Sequence, residues 1–321
     1  MRRAAVLDRP NERSSHTVPT PRGGGIAVIA AILAAWLALT GAGALPPRLL
    51  TIAAGALLLA VVSWRDDRRG LSPAVRLLAQ FAAVGLGVWA LSGGAIFQGW
   101  LPPLLDRAAA ALLWVWFVNL FNFMDGIDGL AGSEAAAIGG GLTLTAGFGV
   151  AADPGLAVAA AAVATASLGF LRWNRAPARV FLGDVGSVPL GYLLGFLLLD
   201  AAARGHPWLA LILPLYFLAD ATITLLRRLL RGERVWQAHR EHFYQQAVRR
   251  GLGHAEVVRR VIAADLALIG CGWIAERWSP AAGLALAASL VALLLVSLAG
   301  LPRRVRHPIP RATPRIEEPP R

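Results

Sequence analysis

Ten apolar stretches recur along the chain, at roughly 24–43, 49–64, 77–91, 108–121, 131–150, 154–171, 186–200, 207–226, 261–275 and 280–300. A helix needs about 20 apolar residues to cross a hydrocarbon layer of about 30 Å. In lipid every backbone N–H and C=O must be satisfied internally, which leaves helices and closed barrels. These runs are long and show no alternation of period two, so they read as helices. The expected fold is all-α, a polytopic membrane protein with about ten transmembrane helices. Alanine, glycine and leucine dominate the stretches, which suits close helix packing in lipid.

Composition agrees. Of 321 residues 56 % are hydrophobic and 16 % charged, against about 25 % charged in ordinary soluble domains. The chain is equally too apolar to be disordered. No fixed-period repeat and no soluble domain appears. Residues 1–300 read as one membrane domain, and the Pro/Arg-rich 301–321 as a disordered tail. The single cysteine, Cys271, lies inside an apolar run, which excludes a disulfide framework and a cysteine metal site. The start, MRRAAVLDRPNERSS, does not read as a signal peptide, because no apolar region follows its arginines for about twenty residues.

The net charge of +12 comes from 31 basic residues, all of them arginine, against 19 acids. Such a balance raises the question of a nucleic-acid partner. Placing each arginine answers it. With the N-terminus in the cytoplasm and the stretches alternating, 27 arginines fall in cytoplasmic segments and only Arg48, Arg107, Arg204 and Arg277 fall outside. That is the positive-inside pattern, and no nucleic-acid partner is needed.

The same alternation puts the unusual polar clusters on one face, the cytoplasmic one. Asp66 and Asp67 are adjacent in SWRDDRRGLSP. Two neighbouring carboxylates repel unless a cation or proton is shared, which suits a metal neighbourhood or a general base. A solvated loop neutralised by Arg65, Arg68 and Arg69 is the plainer alternative. In NFMDGIDGLAG, Asn122, Asp125 and Asp128 recur every three residues and would share one helical face. Their oxygens suit Mg²⁺, and Gly126, Gly129 and Gly132 permit close backbone approach. A glycine-rich turn with a capping Asp competes with that reading. Asp184 in FLGDVGS stands before an apolar helix, either as its N-cap or as a second metal-directed carboxylate. His239, Arg240 and His242 in AHREHFYQ can present donors to phosphate oxygens, or form a polar surface helix. Arg13, His16 and Arg22 in PNERSSHTVPTPRGGG are compatible with anion binding or with an interfacial anchor. Asp220 is expected to pair with Arg227 or Arg228, since an acid in a transmembrane helix is functional or paired. Asp265 has the same status.

The segments PNERSSHTVPTPRGGG, DDRRGLSP, NFMDGIDGLAG, FLGDVGS and AHREHFYQ, in this order, resemble the polyprenyl-phosphate N-acetylhexosamine-1-phosphate transferase family, glycosyltransferase family 4. They span residues 10 to 245. The family includes undecaprenyl-phosphate N-acetylglucosaminyl-1-phosphate transferases and phospho-N-acetylmuramoyl-pentapeptide transferases. Members carry a membrane helix ahead of the PNERSSH segment, where this sequence begins. The HREH reading of the basic loop is most similar to the subgroup that starts O-antigen and related lipopolysaccharide glycans.

The resemblance implies a reaction in which undecaprenyl phosphate attacks the β-phosphorus of a UDP-N-acetylhexosamine and UMP leaves. It implies Mg²⁺, with Mn²⁺ as a substitute, held by Asn122 and Asp184. It gives Asp66, Asp67 and Asp184 catalytic positions, with the Asp66–Asp67 pair set to deprotonate or orient the lipid phosphate. Arg13, His16, Asp125, Asp128, His239, Arg240 and His242 become substrate-binding positions. A bacterial inner membrane location and a homodimer are the accompanying expectations. A transporter of a phosphorylated or anionic solute is the rival from another class. It would place ionisable groups at the bilayer midplane and show broken helices and an internal repeat.

Overall fold

The computed structural model describes residues 20–91, 93–148, 153–235, 237 and 239–300, together with the backbone of 7–8. Arg13, His16 and the 301–321 tail lie outside the described residues. Twelve helices are present among them: α1 (Gly24–Gly41), α2 (Arg48–Arg69), α3 (Pro73–Ala90), α4 (Pro103–Phe123), α5 (Leu130–Gly147), α6 (Pro154–Asn174), α7 (Asp184–Ala203), α8 (Pro207–Ile212), α9 (Leu215–Leu230), α10 (Phe243–Arg249), α11 (His254–Arg277) and α12 (Pro280–Ala299). Two-residue strands β1 (Leu7–Asp8) and β2 (Thr20–Pro21) pair antiparallel.

Seven helices, α1, α2, α3, α4, α6, α7 and α12, are long and apolar enough to cross a membrane, and the chain is a multi-pass membrane protein. The other apolar stretches take different forms. The 207–226 stretch is divided, because Pro214 cannot continue the hydrogen-bond ladder from α8 and becomes the N-cap of α9. That leaves α9 with 16 residues. Helix α11 begins at His254, ahead of its apolar stretch, and reaches 24 residues with Arg259, Arg260 and Asp265 inside it. Asp265 faces Glu134 of α5 across the interior, and both are buried.

The helix ends follow from local chemistry. Ser72, Asp153 and Ser279 accept from the N–H groups of Val75, Leu156 and Ala282, which caps α3, α6 and α12, each followed by proline at the first helical position.

Helix α7 is the centre of the bundle. It is apolar on all sides, and 94 % of its membrane-length window is buried, as a helix without a polar face must be. Trp114 of α4 stacks on Tyr192 of α7 at 4.8 Å and donates its indole N–H to the Tyr192 carbonyl at 2.9 Å. Tyr192 in turn donates its hydroxyl to the Ala83 carbonyl of α3 at 3.1 Å. These bonds give the buried polar tips of large aromatics their partners. At the other end of α7, its Gly186 lies against Gly25 of α1. A Cβ on Gly25 would stand 2.2 Å from the Gly186 Cα. The PRGGG glycines therefore serve helix contact: the Gly24 and Gly25 N–H groups donate to the Phe181 and Leu182 carbonyls at 2.9 and 3.0 Å.

Candidate active site

The ends of α2, α4 and α9 and the starts of α5, α7, α10 and α11 carry the motif residues. Asp66 and Asp67 finish α2, and their neighbourhoods differ. Asp66 accepts from the Leu71 N–H at 2.6 Å and from Arg76 at 3.1 Å. It closes the α2–α3 turn. Asp67 points the other way, accepting from the Val185 N–H in the first turn of α7 at 3.2 Å, with the Arg22 guanidinium 4.0 Å off. The neutralising partners are therefore Arg76 and Arg22, whereas Arg68 lies over the Trp64 ring.

Asp184 is the first helical residue of α7 and not its cap. Gly183 is the N-cap, with no side-chain capping bond, and the carboxylate at that terminus is Asp67. A helix N-terminus draws anions through its unpaired N–H groups and dipole, so Asp67 and Asp184 are brought together there.

Asn122, Asp125 and Asp128 do not share one helical face. Helix α4 ends at Phe123 and α5 begins at Leu130, so only Asn122 is helical. The reason is Gly126 and Gly129, the latter at φ 84. Asn122 accepts from the Ser187 hydroxyl of α7 at 2.5 Å. Asp128 turns toward the α6–α7 loop and α11, accepting from the Ala178 N–H at 3.0 Å with His254 Nδ1 at 3.4 Å. Asp125 lies between. Its side chain, like that of Asp184, makes no hydrogen bond or ion pair among the described residues. Burial first, then the charges of Asp184, Asp67 and Asp128, push the Asp125 carboxyl up to about 7, with Arg22 acting in the opposite sense. Uncompensated carboxylates repel each other and ionise reluctantly.

The basic loop is brought against this cluster. The Tyr244 hydroxyl donates to the Phe123 carbonyl at 3.0 Å. Burial, then the nearby Asp220 and Asp125, hold that phenol protonated. A Cβ on Gly126 would stand 2.1 Å from the Tyr244 oxygen, so the motif glycine is what admits the tyrosine. His239 and His242 lie with ring centroids 4.9 Å apart. Burial, and next His242 and Arg228, lower His239 to about 4, so it is neutral at physiological pH and acts through hydrogen bonds and not as a cation. Arg240 supplies the charge: its Nε and Nη2 are buried with no hydrogen-bond partner among the described residues.

Asp220 does not pair with Arg227 or Arg228. Arg228 donates to Glu233 at 2.8 Å and Arg227 lies over the Phe243 ring at 4.8 Å. Asp220 accepts instead from the N–H groups of Phe243 and Tyr244 and from His242 Nδ1. His254 was absent from the expected site residues, because a lone histidine at a helix start carries no signal until the fold sets it beside Asp128.

Among the described residues, no three His, Cys, Asp or Glu side chains group closely enough to hold a metal by themselves. The donors at hand are oxygens: the Asp125, Asp184 and Asp67 carboxylates and the Asn122 amide.

Comparison with known proteins gives the family. The family model for glycosyl transferase family 4 matches residues 49–202, from α2 through α7. A phospho-N-acetylmuramoyl-pentapeptide-transferase of Synechococcus sp. (strain JA-3-3Ab) is 32 % identical over 309 residues, 86 % of this chain and 85 % of the relative. A probable undecaprenyl-phosphate N-acetylglucosaminyl 1-phosphate transferase of Bacillus subtilis (strain 168) is 29 % identical over 78 % of this chain and 71 % of its own length. The transferase of Synechococcus elongatus, also a phospho-N-acetylmuramoyl-pentapeptide-transferase, is 34 % identical over 65 % of this chain. That match covers 60 % of the relative, less than two thirds of its length. With a relative above 30 % identity matched over most of both chains, the chain belongs to glycosyl transferase family 4.

Proposed function

We propose that the protein transfers a sugar 1-phosphate, of the N-acetylhexosamine type, from a UDP-sugar to undecaprenyl phosphate in the bacterial inner membrane. The products are UMP and a lipid-linked diphosphate sugar that starts an envelope glycan. The site faces the cytoplasm, in keeping with the 27 arginines on that side. The O-antigen subgroup is the reading of the HREH loop. The observation that carries the proposal is a crowd of acids, Asp125 and Asp184, that make no ion pair among the described residues, on the face where the His239–His242 loop holds Arg240 with Nε and Nη2 buried and without a hydrogen-bond partner among those residues. Each lacks what a divalent cation and a diphosphate would bring.

The donor set fits Mg²⁺. All its donors are oxygens, the ligands of an ion that keeps waters and takes phosphate oxygens from its substrate. Asn122 and Asp184 would hold it, with Asn122 oriented by Ser187 and Asp125 close by. The ion supplies neutralisation of charge on the transferring phosphoryl group.

The chain's own residues do the rest. Phosphoryl transfer calls mainly for alignment and charge stabilisation. Arg240 holds the diphosphate as it leaves the acids' side of the site, and His239 and His242 donate hydrogen bonds to it. Asp67 takes the lipid phosphate's proton or orients its oxygen, since Asp66 is engaged by Arg76 and Leu71. That oxygen bonds to the β-phosphorus while the bond from β-phosphorus to the bridging oxygen breaks, and UMP carries that oxygen away. Asp125 and Asp128 lie on the nucleotide side. Arg13 and His16 retain the anion-binding role the sequence suggests.

The test is direct. Purified protein is mixed with radiolabelled UDP-GlcNAc, UDP-GalNAc or a UDP-deoxyaminosugar, undecaprenyl phosphate and Mg²⁺. One sugar gives a butanol-extractable labelled lipid and equimolar UMP. Folded protein that yields neither from any sugar defeats the proposal.

A further inference from the structure

Asp220 lies on α9, fully buried, and its two oxygens gather donors from two parts of the chain. From α9 itself come the Tyr216 hydroxyl at 3.3 Å and the Thr224 hydroxyl at 3.4 Å. From the far side of the basic loop come His242 Nδ1 at 3.2 Å, the Phe243 N–H at 3.0 Å and the Tyr244 N–H at 3.3 Å. The two N–H groups belong to the first turn of α10, where a helix has no carbonyls of its own to offer. Helix α10 has seven residues, too few to hold its shape unaided. What fixes the His239–His242 loop is therefore whatever grips the start of α10.

The grips can be named. Asp220 holds the backbone of Phe243 and Tyr244 from α9. The Tyr244 hydroxyl ties the same turn to the Phe123 carbonyl, at the edge of the Asn122–Asp128 loop. The His242 ring stands between His239 and Tyr244, with centroids 4.9 and 5.7 Å away. Thus one buried carboxylate sets the loop bearing Arg240 at a fixed height against the acid cluster. Hydrogen bonds to a charged acceptor are the strong ones, and this acceptor meets three from the loop at once.

We propose that Asp220 is a positioning residue: it touches no substrate, and it fixes the His239–His242 loop so that Arg240 and the histidines meet the sugar nucleotide. What the loop binds rests on the transferase reading; the anchor itself does not.

The experiment uses the full chain in detergent, with Asp220→Asn, Asp220→Glu and Thr224→Val. Hydrogen exchange is followed over 239–249 and over α7, beside steady-state kinetics for both substrates. For Asp220→Asn, exchange over 239–249 quickens at least about tenfold while α7 is unchanged. KM for the UDP-sugar rises roughly 10- to 100-fold, the range for losing a bond to a charged group, and KM for undecaprenyl phosphate stays within about twofold. Thr224→Val, which removes a donor from α9 only, stays near the parent in both readouts. Should Asp220→Asn not fold, Asp220→Glu displaces the carboxylate by one methylene, and faster exchange over 239–249 with α7 intact supports the anchor. Exchange over 239–249 unchanged in the folded variants, or an equal rise in both KM values, overturns it. If the parent protein transfers no sugar, the function fails and the exchange comparison still decides the anchor.

Discussion

The two ends of the bundle both carry acids and arginines, and they use them in opposite ways. At the end formed by the starts of α2, α4 and α6 and the close of α7, the described acids are engaged by partners. Asp200 receives both forks of Arg48 at 3.0 Å each and Arg204 Nε at 3.0 Å. Arg204 also pairs with Asp153, the cap of α6. Asp106 accepts from the Ile96 and Phe97 N–H groups at 3.1 and 2.9 Å, and Glu276 bonds His206 at 2.8 Å. At the motif end, Asp66, Asp128 and Asp220 have such partners. Among the described residues, Asp125 and Asp184 make no ion pair, and Arg240 Nε and Nη2 have no acceptor. Asp200, Asp153 and Asp106 hold the fold together through their partners, because an unpaired buried charge is costly. Acids left open beside one another keep room for something the chain itself does not supply.

This contrast can be broken by matched substitutions. Asp67→Asn should lower turnover by about a thousandfold, in the range of removing a group that acts on the reacting atoms, with the melting temperature unmoved. Asp66→Asn should act mainly on stability, through the lost Leu71 and Arg76 bonds. Rates that fall alike in the two variants would erase the distinction between them. At the opposite end, Asp200→Asn should cost about 2–3 kcal/mol of stability, discounted from the range for a fully buried pair because both arginines are partly exposed. Turnover of the folded fraction should stay within about twofold. A thermal melt and a rate measurement on the same preparation separate the outcomes.

The acid cluster also carries a pH signature. Burial and the neighbouring carboxylates disfavour the charged form of Asp125, so it keeps a proton below about 7 and loses it above. A divalent cation competes with that proton. The Mg²⁺ concentration for half-maximal rate should therefore fall by up to about tenfold per pH unit between 6 and 7, then level off. Without metal the sign for stability is the reverse of a salt-bridged acid. The folded chain holds the proton more tightly than the unfolded one, so stability falls as pH rises from about 4 to about 7. Asp125→Asn should flatten both profiles. The smallest effect is expected for Ser187→Ala. It frees the Asn122 amide from its 2.5 Å bond and should slow turnover about three- to tenfold, in line with one neutral hydrogen bond.

Much of this was legible in the sequence because it depends on local pattern. The apolar stretches, the arginine placement and the five motif segments are all read over a few neighbouring residues. The rest depends on partners that lie far apart in the chain. Asp66 and Asp67 look equivalent until the fold gives one to Arg76 and the other to Val185, 118 residues on. The three-residue spacing of Asn122, Asp125 and Asp128 suggested a helical face, yet the glycines that make the motif permissive also end the helix. Asp220 looked destined for the arginines seven and eight positions later. Backbone N–H groups carry no residue identity, so nothing in the sequence could show that those of Phe243 and Tyr244 would be its partners. The break at Pro214 was hidden for a related reason: hydropathy does not register a proline inside an apolar run.

The central claim is that the open acids at the motif end serve sugar-phosphate transfer. The most direct measurement is UMP release against labelled lipid formation, in undecaprenyl phosphate micelles with Mg²⁺, for the parent protein and for Asp184→Asn. The account predicts UMP and lipid-linked sugar in equal amounts from the parent and neither from Asp184→Asn at equal folded protein. Full activity in Asp184→Asn, or UMP released with no lipid product, would contradict it.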